Sequence, residues 1–455
     1  MTDGSGLEDI YGATIERIKA QGGYKSRLGM GALMWISYAE VPLSPDELCH
    51  ALAIELGSTD FNASNIPSIM TLVSCCQGLI TVEKEALTVR LIHFTLREYF
   101  SAHPDIFSRP HSAIAEICLT YLNSSLVKAL SAEVDALSAD SFADLPDLIH
   151  DKPFLKYCSL YWGVHAKKEL SDCARSLALQ LFKEYDGHIS AALYIEHTWG
   201  LSEQSEEDVD MDSLWSGLHC ASYFGIVEVV AALVEIERYD LNEGDYFGCT
   251  ALSLAAEAGH EEVVKILLQR EEVNPNKEDK LGVTPLSYAA IKGHEGTVKI
   301  LLGQEEVNPD KPNNGGRTPL SYAAKKGHEG VVKILLGREE VNPDKPDNHG
   351  QTPLSHAAMY GRERVVKILL GREEVNPGKP DNDGRTPLSY AARLNYPVSN
   401  PGRLEVVKLL LGREEVNPNQ PDCDGQTPLM LAEREDNYGV VALLESHVAV
   451  THSAT

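Results

Sequence analysis

Apolar positions recur in a fixed order along the second half of the chain. Between Thr318 and Leu336, Leu320, Ala323 and Ala324 precede Gly327, and Val331, Val332, Ile334, Leu335 and Leu336 follow it. Two apolar stripes at helical spacing, separated by a glycine, predict two short helices. Thr318 is placed to cap the first, and Pro319 suits its first turn, where a missing N–H costs nothing. Gly327 ends that helix and His328 opens the next. Asn342-Pro343 then begins a turn-rich link, which Gly350 closes before Thr352. The opening phrase stands six times: Thr250-Ala251-Leu252, Thr284-Pro285-Leu286, Thr318-Pro319-Leu320, Thr352-Pro353-Leu354, Thr386-Pro387-Leu388 and Thr427-Pro428-Leu429. The first four steps are 34 residues and the last is 41. Such a period predicts a solenoid, in which each unit buries its apolar face only against its neighbours. One step before Thr250, Ser216-Gly217-Leu218-His219-Cys220-Ala221 reads as a degenerate first copy, making seven units. The extra residues of the long step fall around Asn395 to Gly402, in the turn between the two helices of the sixth unit. Loop insertions of this kind are tolerated.

The first hundred residues show a different pattern. Leu7 to Lys19 and Met30 to Tyr38 have helical spacing. Ser44-Pro45-Asp46-Glu47 is a helix start leading to Leu48, Leu52 and Leu56. Ile66 to Cys75 predicts another helix. Gly78 to Val82 and Leu87 to Ile92 predict two strands around a Glu83-Lys84-Glu85 turn, with Phe94 to Phe100 returning to helix. Helices, a hairpin and a closing helix make a winged-helix pattern.

The repeated phrase resembles the ankyrin repeat, with units one residue longer than usual through the Asn-Pro-Asp-Lys-Pro-Asp link. The expected fold is mostly α: a winged-helix and helical region, then an ankyrin solenoid. Leu7 to Gly12, Met34-Trp35-Ile36, Pro42 to Leu48 and Val89 to Phe100 are similar to the winged-helix segment of fungal NACHT–ankyrin proteins. Pro153 to Cys158 and Tyr161 to Ala166 are similar to the helical stretch that follows it there. These are receptor-like NTPases, in which the NTPase precedes the winged helix and the repeats act as sensor. The resemblance implies domains at 1–102 (winged helix), 103–200 (helical connector), 201–213 (acidic linker) and 214–455 (ankyrin repeats). It also implies an NTPase upstream, whereas this sequence starts at Met1 within the winged-helix region. A natural short form or a truncated gene model would account for that. No Gly-x-x-x-x-Gly-Lys-Ser/Thr occurs, and Gly22 to Gly29 has its glycines and lysine in the wrong order for a phosphate cradle. No nucleotide or other cofactor is therefore expected.

Charge separates the two halves. Residues 250–426 hold 23 Lys+Arg and 26 Asp+Glu, whereas residues 1–249 hold 16 and 37. The densest acidic run, Glu203 to Asp212, suits a solvated linker. The helix expected to enter a DNA groove, Asn65 to Cys76, has no Lys or Arg, and residues 1–102 carry 7 basic against 12 acidic groups. Phosphate binding needs clustered positive charge, so nucleic acid is not an expected partner. No apolar run reaches the ~20 residues of a membrane span. Nine cysteines without paired spacing fit reduced thiols and a cytoplasmic location, with the nucleus also open.

Catalytic and metal signatures are missing at the level of motif. His260-Glu261, His294-Glu295 and His328-Glu329 have Val264, Val298 and Val332 where the zinc motif needs a second His. No Cys-x-x-Cys or Gly-x-Ser-x-Gly occurs, although this winged-helix class shares its label with an inositol deacylase. Tyr161, Trp162 and His165 read as an aromatic cluster packing the connector. The chain is expected to be non-enzymatic and metal-free.

Variation between copies is concentrated. Leu335 to Pro343 recurs unchanged at 369–377 and 410–418. Yet the pair after each Ala-Ala always differs: Glu257-Ala258, Ile291-Lys292, Lys325-Lys326, Met359-Tyr360, Arg393-Leu394. So do the residues around the loop glycine: Leu281 and Val283, Gly315 and Arg317, His349 and Gln351, Asp383 and Arg385. In ankyrin proteins both sets line the concave recognition face. The expected function is protein–protein interaction through that face. The expected partner-binding residues are Lys292, Arg317, Lys325, Lys326, Met359, Tyr360 and Arg393, and the expected partner is acidic with an apolar anchor.

Overall fold

The computed structural model describes residues 5–58, 60–83, 85–135, 149–183, 188, 215–236, 239–393 and 402–453. The chain divides into two compact units, 1–236 and 237–455. The expected acidic linker, Leu394 and the start of the sixth unit's insertion lie outside the described residues.

The first unit opens with α1 (Ser5–Ala20), α2 (Gly23–Tyr38), α3 (Pro45–Ala53), α4 (Ile69–Cys75), β1 (Ile80–Glu83), β2 (Thr88–Leu91) and α5 (Phe94–Ala102). The strands form an antiparallel hairpin with Ile80 opposite Leu91 and Glu83 opposite Thr88. The winged helix is present. Ser44 and Glu47 form a reciprocal capping box at the start of α3. That helix stops at Ala53, so Leu56, expected on its apolar face, lies past its end and is exposed. Helix α4 starts later than Ile66 because Pro67 precedes its cap, Ser68, which accepts from the Thr71 N–H.

The connector comprises α6 (Pro110–Leu122), α7 (Ser125–Asp135), α8 (Pro153–Lys168) and α9 (Asp172–Phe182). Helix α6 is apolar on nearly every face, and ten of its residues are buried, which makes it a central helix paired with α8. Trp35 of α2 meets Phe154 and Tyr157 of α8 edge-on, each at 5.5 Å, so winged helix and connector share one core. Trp162 and His165 are fully buried, and Trp162 packs against Phe182 and Phe224. Phe224 belongs to the degenerate first repeat, a helix pair at Gly217–Phe224 and Val227–Leu233. Glycines make this seating possible: a Cβ on Gly163 would stand 2.2 Å from Phe224 Cγ, and one on Gly217 2.5 Å from Phe182 Cβ. The first repeat thus packs on the connector, within the compact unit that ends at Ile236.

The second unit is a stack of helix pairs. The first helices are Ala251–Ala258, Pro285–Lys292, Pro319–Lys326, Pro353–Met359, Pro387–Ala392 and Pro428–Arg434. Their partners are Glu261–Leu268, Glu295–Leu302, Glu329–Leu336, Glu363–Leu370, Gly402–Leu411 and Tyr438–Ser453. Thr250, Thr284, Thr318, Thr352, Thr386 and Thr427 each cap a first helix through the N–H three residues on. Ala289, Ala290, Ala323 and Ala324 have no exposed surface, and first helices pack on one another more closely than second helices do. Small side chains permit that approach. The expected ankyrin solenoid is what this sequence forms.

Candidate functional site

The loop ahead of each first helix is closed by one side chain, buried in five of six loops and half-buried at Asn313. Asp245, Asp279, Asn313, Asp347, Asp381 and Asp422 each accept, through Oδ1, the N–H groups two and four residues on. One carboxylate or amide oxygen so satisfies two donors that the turn leaves orphaned. The remaining side-chain atom faces the following helix. Asp279 Oδ2 accepts from Tyr288 Oη at 2.7 Å, Asn313 Nδ2 donates to Tyr322 Oη at 2.7 Å, and Asp347 Oδ2 accepts from His356 Nε2 at 3.2 Å. Burial and the neighbouring Asp381 carboxylate push the Tyr390 phenol up to about 12, so it stays a donor to that carboxylate.

These bonds recruit part of the variable set. Arg317 Nε donates to the fully buried Asp347 carboxylate of the next unit at 3.2 Å. Gln351 Nε2 donates to Tyr390 Oη at 2.7 Å, and Arg385 pairs with Asp383 at 2.7 Å. Val283 is buried, and so it leaves the expected surface set. Leu281, by contrast, is 67% exposed.

A second set of bonds ties each unit to the one before. His294 Nε2 pairs with the Glu257 carbonyl and His328 Nε2 with the Ile291 carbonyl, both at 2.9 Å. In the next units Arg362 Nε donates to the Lys325 carbonyl at 3.0 Å, and Arg403 Nη2 to the Met359 carbonyl at 3.0 Å. The acceptors are the last carbonyls of successive first helices, which have no partner inside the helix. The His-Glu repeat is therefore a structural strut.

The ends of the first helices carry the candidate residues. Lys292 is exposed and pairs with Glu257 of the preceding unit at 3.1 Å. Lys326 is exposed, and Lys325, Met359 and Tyr360 are half-buried. Lys325 Nζ lies 5.3 Å from the Tyr360 ring centre, a cation–π arrangement. Arg393 Nε reaches Glu435 at 4.0 Å. Lys325 and Tyr360 thus come together, with Lys326 next to Lys325 in the chain; Lys292, Arg317 and Arg393 are held by neighbouring carboxylates. The Gly-Arg-Glu-Glu segment shared by three copies sits after the second helices, where Arg338 pairs with Glu340 at 3.7 Å and Arg372 with Glu374 at 3.6 Å.

Comparison with known proteins agrees with this architecture. Ankyrin repeats match in three copies, at residues 188–279, 268–347 and 338–411. The winged-helix domain of GPI inositol-deacylase matches residues 16–117. No curated protein matches the chain. Among solved structures, the human ASB11 ankyrin repeat domain is 26% identical with a TM-score of 0.43, covering 50% of this chain and 98% of its own. The ankyrin repeat domain of Bcl-3, a member of the IkappaB protein family, is 24% identical with a TM-score of 0.41, covering 50% and 97%. The chain carries ankyrin repeats and, ahead of them, a winged-helix domain of the GPI inositol-deacylase type.

Proposed function

We propose that this ankyrin-repeat, winged-helix chain is a non-catalytic interaction protein that binds an acidic protein partner through the first-helix ends of its repeats. Ankyrin repeats are in general protein–protein interaction modules. The observation that carries the reading is the pairing of Lys325 with Tyr360, at positions that vary between copies within an otherwise repeated framework. Lys326 and Met359 adjoin that pair in the chain, and Lys292, Arg317 and Arg393 are charges shared with neighbouring carboxylates. A basic centre beside an aromatic ring and a flexible thioether suits an acidic surface with an apolar anchor.

The test uses the full chain as bait in three forms: native, Lys325→Glu with Lys326→Glu, and Arg338→Glu with Arg372→Glu. A partner held by the native and Arg338/Arg372 forms but lost by the Lys325/Lys326 form supports the reading. Equal retention by all three overturns it.

The winged-helix match ahead of the repeats favours a second reading. Here the chain is the sensor part of a NACHT-type receptor of the fungal kind, working in the cytoplasm. An upstream reading frame encoding a phosphate-binding loop would decide for it.

A further inference from the structure

Glu40, His111 and His165 are far apart in sequence and meet in the first unit. Glu40 follows the end of α2, His111 lies in the first turn of α6 and His165 in the last turn of α8. Their ligand atoms all lie within 4.8 Å of one another. The two imidazoles face each other nitrogen to nitrogen, Nδ1 to Nδ1, at 2.8 Å. Burial is graded: His165 has no exposed surface, His111 is half-buried and the Glu40 side chain is 25% exposed, so the cluster reaches solvent on the carboxylate side.

The surroundings orient these rings. Tyr157 Oη lies 2.9 Å from His165 Nε2 and accepts the Glu40 N–H at 3.2 Å. One of the two imidazoles carries its proton on Nδ1 and donates it to the Nδ1 of the other. The Tyr38 ring meets His111 edge-on at 5.5 Å. Burial first, and then the neighbouring His111, hold the His165 imidazole down to about 4, so it is neutral near pH 7. Burial lowers His111 in the same direction.

We propose that Glu40, His111 and His165 bind a divalent transition-metal ion, zinc above all. Two neutral imidazoles and a carboxylate form a donor set that suits zinc. The ion would take both Nδ1 atoms. With the ion on both Nδ1 atoms, each neutral imidazole keeps its single proton on Nε2, and that of His165 faces Tyr157 Oη. Two nitrogens on a tetrahedral zinc stand roughly 3.3 Å apart, so the imidazoles separate by about 0.5 Å. Tyr157 then plays the part that outer-sphere acceptors play for metal-bound histidines. Lys168 Nζ sits on Glu40 Oε1 and competes with the ion for that carboxylate. The three residues come from segments that only folding brings together, so the ion would join α2, α6 and α8.

The test is zinc titration of tag-free full-length chain, with its exposed thiols Cys173 and Cys423 alkylated first. We expect one equivalent of zinc at micromolar affinity or tighter. His111→Gln should weaken it at least tenfold, Glu40→Gln should weaken it, and Lys168→Met should strengthen it. Cobalt(II) should give a ligand-field spectrum without a thiolate charge-transfer band, and zinc should raise the melting temperature of the native chain but not of His111→Gln. Glu40 is on the surface, so Glu40→Gln reports even if His111→Gln fails to fold. No binding, binding unchanged in Glu40→Gln and in folded His111→Gln, or a thiolate band in the cobalt form overturns the proposal.

Discussion

Lys325 Nζ stands 5.3 Å from the centre of the Tyr360 ring, and the two residues belong to successive first helices. The same one-unit step joins Glu257 to Lys292 at 3.1 Å. Variable positions in neighbouring repeats are thus partners of each other before they are partners of anything else. The ring is held against a cation and has less freedom to lose on binding. Tyr360→Ala should therefore remove ~2 kcal/mol or more of partner affinity, as aromatic hot spots do. Its effect on the melting midpoint should be small, since a cation–π pair at an exposed site is worth about 0.5–1 kcal/mol. Calorimetry with the partner and thermal melting of the free chain separate the two.

Charge at this face should act on association more than on dissociation. Lys325→Glu with Lys326→Glu should slow partner association, and more so at low salt, because steering by surface charge is screened over about 10 Å at 0.1 M. Arg338→Glu with Arg372→Glu should change neither rate much, since these residues follow the second helices and are engaged with Glu340 and Glu374. Stopped-flow or surface-binding rates at two ionic strengths measure the difference.

Ala324 has no exposed surface, and the first helices of neighbouring units close over it. Ala324→Leu should over-pack that contact and cost ~1–3 kcal/mol. Lys325→Leu should cost less, because residue 325 is only half-buried. Urea unfolding of both variants gives the comparison, and equal losses would contradict the helix phase seen here.

Asp347 gives the repeats an acid limb. Burial works against its charged form, but His356 Nε2, the Gln351 N–H and the His349 N–H more than offset this and hold the carboxyl at about 2, below the usual 3.8. The folded value lies below the unfolded one, so the stabilisation is complete above pH ~4 and is lost as pH falls towards 2. The shift corresponds to roughly 2 kcal/mol. Asp347→Asn should lower stability at pH 7 and flatten the decline between pH 4 and 2. Chemical denaturation across that range, native against variant, measures both.

The repeats were legible because their signals are local. Cap, proline, Ala-Ala pair and glycine lie within one helix, and the 34-residue step repeats them. What escaped the sequence depends on the adjoining unit or on distant segments. Arg317 reads as an exposed charge until Asp347, thirty residues on, is seen to take it. Val283 reads as an exposed loop residue until the fold buries it. The contact of Phe224 with Trp162, which seats the first repeat on the connector, leaves no period or spacing to read. Glu40, His111 and His165 likewise share no spacing, and only the packing of α2, α6 and α8 brings them together.

His328 offers the cleanest test of how the units are joined. Its Nε2 meets the Ile291 carbonyl of the preceding unit at 2.9 Å. That approach depends on Gly293, whose φ of 83° favours glycine and where a Cβ would stand 2.5 Å from His328 Nδ1. His328→Ala leaves the carbonyl without this donor and should cost about 1–2 kcal/mol. One unit on, Arg362 supplies the same bond to the Lys325 carbonyl from the equivalent position, beside Gly327. His328→Arg should therefore recover most of the loss, because the guanidinium reaches the same acceptor past the same kind of glycine. Gly293→Ala should lose stability both from its backbone angle and from pushing the ring away. If His328→Arg unfolds as early as His328→Ala, the histidine is holding the units together by its packing and not by this bond.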